Sequence, residues 1–234
     1  MKKSSLTLWS LCLFMSASLH SAELGKGLSA AARRDWTEAY QEFKPLAEAG
    51  DPNAAVNLGN LYLRGLGVVE NPKEAFRWFK QAADQGHPKG QGKLGMMYYY
   101  GLGTPEDREE AIRWFKKAAE QGDPESASIL GSIHSIGEGS KKDPVEAYLW
   151  YSIAADRGKP GAQEQRGLLM EEMTPSEQTE ALNRLDAWRQ QHAPLPKEET
   201  TESAKPSPKI TSARHPKKHA KKRRRRHARR HHSK

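Results

Sequence analysis

The chain has 234 residues, with 38 Lys and Arg against 29 Asp and Glu, a net charge of +9 and a single cysteine; its mean hydropathy is −0.87. A multi-span membrane protein is excluded, because each helical span needs about 20 apolar residues and a long apolar run occurs only near the start. The lone Cys12 excludes an internal disulfide framework.

The charge is unevenly placed. Residues 1–22 carry Lys2 and Lys3 and no acid, residues 23–204 carry 22 basic against 29 acidic residues, and residues 205–234 carry 14 basic residues and no acid. A body near −7 is therefore followed by a tail of +14. The start reads as an export signal: Lys2 and Lys3, a mainly apolar stretch from Leu6 to Leu19, then small residues at Ser21 and Ala22. Cleavage is expected after Ala22, which places the protein in the periplasm or outside the cell; the competing reading is an uncleaved N-terminal anchor. Cys12 falls inside the apolar stretch, so removal of the signal leaves a body without cysteine, suited to an oxidising compartment.

From residue 23 onward a 36-residue period governs the chain. Leu58-Gly59 recurs as Leu94-Gly95 and Leu130-Gly131, and the pair Gly65 and Gly67 as Gly101 and Gly103, then Gly137 and Gly139. Gly50, Gly86, Gly122 and Gly158 follow the same step, as do Pro52, Pro88, Pro124 and Pro160. Asp35, Asn71, Asp107 and Asp143 each stand three residues before a Glu, the spacing of a capping box at a helix start. Pro72 and Pro144 then fall at the first helical position, where no amide partner is lost. The helix continues through Trp78-Phe79, Trp114-Phe115 and Trp150-Tyr151, and Gly86 and its equivalents end it in the left-handed conformation. The Pro two residues later is expected to open the next helix. Gly59, Gly95 and Gly131 lie inside helices at a cost in propensity, which points to close helix–helix approach.

The unit Leu-Gly-x-x-Tyr-x-x-Gly-x-Gly, followed by Ala-x-x-Trp-Phe-x-x-Ala-Ala-x-x-Gly, resembles the Sel-one-like repeat (SLR), a relative of the tetratricopeptide repeat. The resemblance covers about 23–191. It implies an all-α fold, a right-handed α-solenoid of about five antiparallel helix-pair repeats, in which each unit buries its apolar face against its neighbours. The units are placed at about 23–53, 54–90, 91–127 and 128–161, with a capping unit at 162–191. In the first of them only the second helix, around Trp36 to Ala49, looks well formed. In the capping unit Gly167 keeps the register, Arg166 replaces Leu, and Thr174-Pro175-Ser176-Glu177 starts a helix carrying Ala181, Leu182, Leu185 and Trp188.

No residue set for catalysis stands out. The Gly-x-Gly loops lack a preceding strand and a Gly-Lys-Ser/Thr continuation, so they read as loop closures and not as phosphate cradles. His87 reads as a variable turn residue. His134 occupies the column of Tyr62 and Tyr98 and reads as a packing exchange, with no second His or Cys beside it. The cysteine pairs of the SLR proteins associated with β-lactam chemistry are absent from this body. The chain is accordingly expected to be non-enzymatic, with no cofactor and no metal site.

The resemblance also implies a concave groove lined by the first helices of the repeats. Asn60, Leu63 and Arg64 are expected on it, followed by Lys89, Met96, Tyr99 and Tyr100, then Ser132 and Ile136; Leu63 and Tyr99 have the alternative of filling the core. Aromatic, Met and Arg side chains are enriched at interfaces, so the groove is expected to bind a protein or peptide partner. Beyond the repeats, 192–213 is a Pro/Ser/Thr-rich linker whose composition cannot bury enough surface to order itself. The tail at 214–234 holds Lys217, Lys218, Lys221, Lys222, Arg223, Arg224, Arg225, Arg226, Arg229 and Arg230, with five histidines among its 21 residues. Such a run serves as an interaction tail. Lacking aromatic stacking platforms, it is expected to bind an anionic envelope polymer or lipid and not a specific nucleic-acid sequence. A fold-back of the tail onto the acidic body is a further reading.

Overall fold

A computed structural model describes residues 22–192, and these form ten helices with no strand among them. The expected export signal up to Ser21, most of the expected linker and the whole basic tail lie outside the described residues. Residues 22–32 form α1. It is followed by α2 (Trp36–Glu48), α3 (Pro52–Arg64), α4 (Pro72–Asp84), α5 (Pro88–Tyr100), α6 (Arg108–Glu120), α7 (Pro124–Ile136), α8 (Pro144–Asp156), α9 (Ala162–Glu172) and α10 (Pro175–Gln191). The helices from α2 to α8 are each 13 residues long. Consecutive helices fold back on one another as α1/α2, α3/α4, α5/α6 and α7/α8, and these hairpins stack into an α-solenoid. The first hairpin is complete, contrary to expectation: α1 is well formed, and only its connection to α2 is short. Residues 33–35 do the work that 65–71 do in the next unit.

The helix starts and stops follow from single residues. Asp35, Asn71, Asp107 and Asp143 each accept a hydrogen bond from the amide of the Glu three residues on, at 2.9–3.2 Å. The expected reciprocal bond from Glu is not what closes these caps. The N-cap amides of Asn71, Asp107 and Asp143 instead donate to the carbonyls of Tyr62, Tyr98 and His134 at 2.8–2.9 Å, sealing the seven-residue loop. With that amide used, Glu74 and Glu110 turn to Arg77 and Arg113, and Glu146 receives the Trp150 indole and Arg184. The full capping box forms at Thr174 and Glu177, at the start of α10.

At the other end of each second helix, Gly50, Gly86, Gly122 and Gly158 adopt φ between +77° and +97°. The following amides, of Asp51, His87, Asp123 and Lys159, reach back to the carbonyls of Leu46, Ala82, Ala118 and Ala154 at 2.9–3.1 Å, which is the Schellman arrangement. Asp51, His87 and Asp123 then cap the next helix with their side chains. One residue thus ends one helix and starts the next. Pro160 departs from its column: Lys159 provides no cap, and α9 starts later, at Ala162, behind Gly161 with φ +79°.

The core runs along the inside of the hairpins. A Cβ on Gly59 would lie 2.6 Å from the Phe79 ring, one on Gly95 2.9 Å from Phe115, and one on Gly131 2.6 Å from Tyr151. Gly27 meets Phe43 in the same way, at 2.5 Å. The close approach read from the mid-helix glycines is the packing rule of all four hairpins. The second loop glycine bears on the preceding unit: a Cβ on Gly67 or Gly103 would lie 2.3 Å from the carbonyl oxygen of Trp36 or Pro72, at the first turn of α2 or α4. At the C-terminal end both α9 and α10 pack on α8, whose Val145, Tyr148, Leu149, Trp150, Tyr151 and Ile153 are all buried. A helix that is apolar all round needs cover on every side. Ala181 and Leu185 of α10 provide part of it, and Arg184–Glu146 and Arg189–Asp156 pairs pin α10 at its rim.

Gly59→Ala should therefore destabilise the protein by about 1–3 kcal/mol, since overpacking outweighs the roughly 1 kcal/mol gained in helix propensity. Gly167, in α9, has nothing within 4 Å of a Cβ, so Gly167→Ala should stabilise by about 0.5–1 kcal/mol. Urea unfolding of the two variants checks the opposite signs.

Candidate functional site

Residues four, seven and eleven positions apart lie on one face of a helix. On α3 that face is Asn53, Asn57, Asn60 and Arg64; on α5 it is Lys89, Lys93, Met96 and Tyr100; on α7 it is Glu125, Ile129, Ser132 and Ile136. Each set lies 36 residues from the last, so stacking the hairpins lines them up as rows across three helices. The N-terminal halves enclose a cavity of about 500 Å³, lined by Leu24 and Leu28 of α1 together with Asn53, Asn57, Asn60, Lys89, Lys93, Met96 and Ile129. Gly92 belongs to this wall, where the preceding unit has Val56. A Cβ there would lie 2.7 Å from the Ser126 hydroxyl, so the missing side chain leaves room for Ser126 to donate to Asp123 at 2.5 Å.

Of the residues expected on the groove, Asn60, Lys89 and Met96 line the cavity. Ser132 is exposed in the row of Asn60 and Met96. Arg64, Tyr100 and Ile136 form the last row, at the C-terminal ends of the three helices, where Tyr100 is 60% exposed and Ile136 63%. Leu63 and Tyr99 lean the other way. Leu63 packs on the N-terminal core, and the Tyr99 ring lies 6.4 Å from Phe115 with the Arg108 guanidinium 4.9 Å above it. Burial, then hydrogen bonding and charge from Glu138, push the Tyr99 hydroxyl up to about 12. Arg108 in turn pairs with Glu138 of the next unit's loop, and that hydrogen bond, followed by the one from Tyr99, holds the Glu138 carboxyl below its usual range. Tyr99, Arg108 and Glu138 thus fasten one unit to the next.

Asn53, Asn57, Lys93 and Ile129 were not expected on this surface. The signal was present, since each lies on the helix face of a residue that was. His87 also does more than turn the chain. Its Nδ1 accepts from the Gly90 amide at 3.2 Å, and its Nε2 lies 3.1 Å from Asn53 Oδ1 across the unit boundary. Both contacts are satisfied only by the neutral ring with its proton on Nε2. His134 is half-buried, with Nδ1 3.5 Å from the Ser140 hydroxyl. It holds the position that Tyr62 fills by meeting Tyr40 and Tyr98 by meeting Phe76. Among the described residues no three His, Cys, Asp or Glu side chains converge on a metal-sized site, and no helix is long and apolar enough to cross a membrane.

A stack of helix hairpins with an open face along its first helices defines a helical-repeat scaffold, a class whose members engage protein partners. Three of its units are Sel1 repeats: the Sel1 repeat family matches residues 52–87, 88–123 and 124–159, each opening at the first proline of α3, α5 or α7. Among solved structures the chain is similar to a Sel1 repeat protein from Oxalobacter formigenes, with 32% identity over 64% of this chain and a TM-score of 0.60. It is also similar to c5321, a protective antigen of uropathogenic Escherichia coli strains with an SLR fold, with 32% identity over 67% of this chain and a TM-score of 0.62. The match spans 59% of the first protein and 33% of the second. No curated protein matches the chain.

Burial, followed by the charge of Lys89, lowers the His87 pKa below its ordinary value, although Asp51 opposes the shift. The unfolded chain therefore takes up a proton that the folded chain refuses. This contribution to stability is complete above the unfolded pKa, near 6.5, and is lost as pH falls from there through the lower folded value. His87→Asp, which copies Asp51 and Asp123, should be less sensitive than the parent between pH 7.5 and 5.5. Urea midpoints at the two pH values decide this.

Proposed function

We propose that the protein is a non-enzymatic, exported scaffold that holds a protein partner on the concave face of its Sel1 repeats. In this reading the signal at 1–22 directs it to the periplasm or beyond, and the polybasic tail tethers it to an anionic component of the envelope. The observation that carries the reading is the open face of α3, α5 and α7, where a cavity of about 500 Å³ adjoins the exposed row of Arg64, Tyr100 and Ile136. Large apolar and Arg side chains presented together on a rigid surface favour a partner, since these are the types that dominate interface energetics. A second reading, a polyanion-binding protein acting mainly through its tail, is favoured by the 14 basic residues and absent acids of 205–234. Binding by such a run is electrostatic and falls steeply with salt.

Two variants separate the readings. Arg64→Ala combined with Tyr100→Ala should abolish recovery of the native partner from envelope extracts while leaving the helical content unchanged. Deletion of 205–234 should leave partner capture intact and release the protein from the envelope at moderate salt. Full capture by the double variant removes the groove from consideration, and loss of every activity on deletion makes the tail the active part.

A further inference from the structure

The junctions between units share one fastening, and the middle one is open. Asn53 of α3 meets His87 at the next junction at 3.1 Å, and Glu125 of α7 pairs with Lys159 in the equivalent positions. The same register sets Lys89 of α5 opposite Asp123, but no ion pair closes there; Asp123 Oδ2 instead accepts the amide of Ser126 at 2.9 Å and its hydroxyl at 2.5 Å. Lys93, one turn further along the same face, also lacks a carboxylate within ion-pair distance among the described residues, and like charges four residues apart repel. Two ammonium groups without an ion pair among the described residues thus border the groove, and the carboxylates that share its lining, Asp123 and Glu125, are already held by Ser126 and Lys159.

The surroundings select what can neutralise them. On one side Asn60 offers an amide that can both donate to and accept from a peptide backbone, with the Asn53 amide engaged by His87 and that of Asn57 donating to the Asn53 carbonyl. Further along the cavity wall Met96 and Ile129 are apolar and only partly buried, and Ser132 is exposed on the same face of α7. Seven residues of helix separate Lys89 from Met96, about 10 Å, a span covered by about three residues of extended chain.

We propose that this face takes an extended acidic peptide of a partner protein. A carboxylate would sit between Lys89 and Lys93, and an apolar side chain about three residues away would sit over Met96, Ile129 and Ser132. The inference rests on the reading of the groove as a partner site and gives that site its specificity. It also argues against the chain's own tail as the occupant, since 205–234 contains no acid to meet the two lysines.

The test uses the full chain and a labelled peptide of about ten residues with one Phe three positions ahead of a Glu pair, followed by fluorescence anisotropy near physiological salt. Lys89→Glu with Lys93→Glu should weaken binding at least about tenfold, the scale of a lost interfacial charge contact, and Lys89→Arg with Lys93→Arg should retain it. Lys89→Gln with Lys93→Gln gives the same reading should charge reversal disturb the fold. Replacing Phe by Ser in the peptide should also weaken binding, which capture by the basic tail alone would not do. Unchanged affinity for the charge-reversed protein, or for the Ser peptide, overturns the proposal. A chain that ignores the acidic peptide but still loses its native partner through Arg64→Ala and Tyr100→Ala keeps the groove and refutes its acidic preference.

Discussion

Every hairpin of the solenoid depends on an aromatic ring pressed against a helical glycine. Phe43, Phe79, Phe115 and Tyr151 occupy the same place on four successive second helices, facing Gly27, Gly59, Gly95 and Gly131. Omitting the Cβ brings the two helices close enough for the ring to be fully enclosed: Phe43, Phe79 and Phe115 are each at most 1% exposed. The small Ala residues that recur on both sides, among them Ala75, Ala82, Ala111 and Ala118, are buried completely and keep the spacing uniform. A lost methyl group in the helix is recovered many times over in ring burial and dispersion contacts.

That uniform spacing gives the face of the first helices its regularity. Because the helices from α2 to α8 share one length and one set of ends, a residue on α3 finds its counterpart on α5 and α7 at the same height. The units differ in what they carry at those heights: amides on α3, lysines followed by Met and Tyr on α5, and Ile with Ser on α7. Packing and surface character are therefore written at separate positions of the repeat. Packing positions such as Leu58, Leu94 and Leu130 hardly vary, whereas the exposed positions change character from one unit to the next.

Much of this was legible in the sequence, because the packing positions repeat without a gap. The ladder of Leu-Gly, Gly-x-Gly and Gly-x-Pro locates α3 to α8, and the mid-helix glycines mark the close helix–helix approach. The first helix was hidden because its loop is four residues shorter than the others, so Gly27 stands 32 residues before Gly59 and falls out of the 36-residue frame. The one-sided caps were hidden for a different reason: the loop's backbone claims the amide that Glu would have received, and no side-chain pattern records that competition. At the site, the register placed Asn60, Lys89 and Met96 on the cavity wall. It left Leu63 and Tyr99 open between groove and core, because positions three and four residues apart diverge only once the adjacent unit is in place. His87 looked idle in isolation, although the Asp residues on either side in its column were already the sign of a cap.

The two connections within a repeat differ in how they are constrained. The loop from first to second helix spans seven residues in the regular units, where it bears on the unit before, and three in the first hairpin, which among the described residues has no earlier unit to bear on. The junction from second to first helix has no slack, since Asp51, His87 and Asp123 each terminate one helix and begin another. An array joined in this way grows by duplication of whole 36-residue modules, each of which adds one helix to the face without rearranging those already present. The footprint available to a partner is thus quantised, and selection can rewrite one helix of contacts at a time while the scaffold is inherited unchanged.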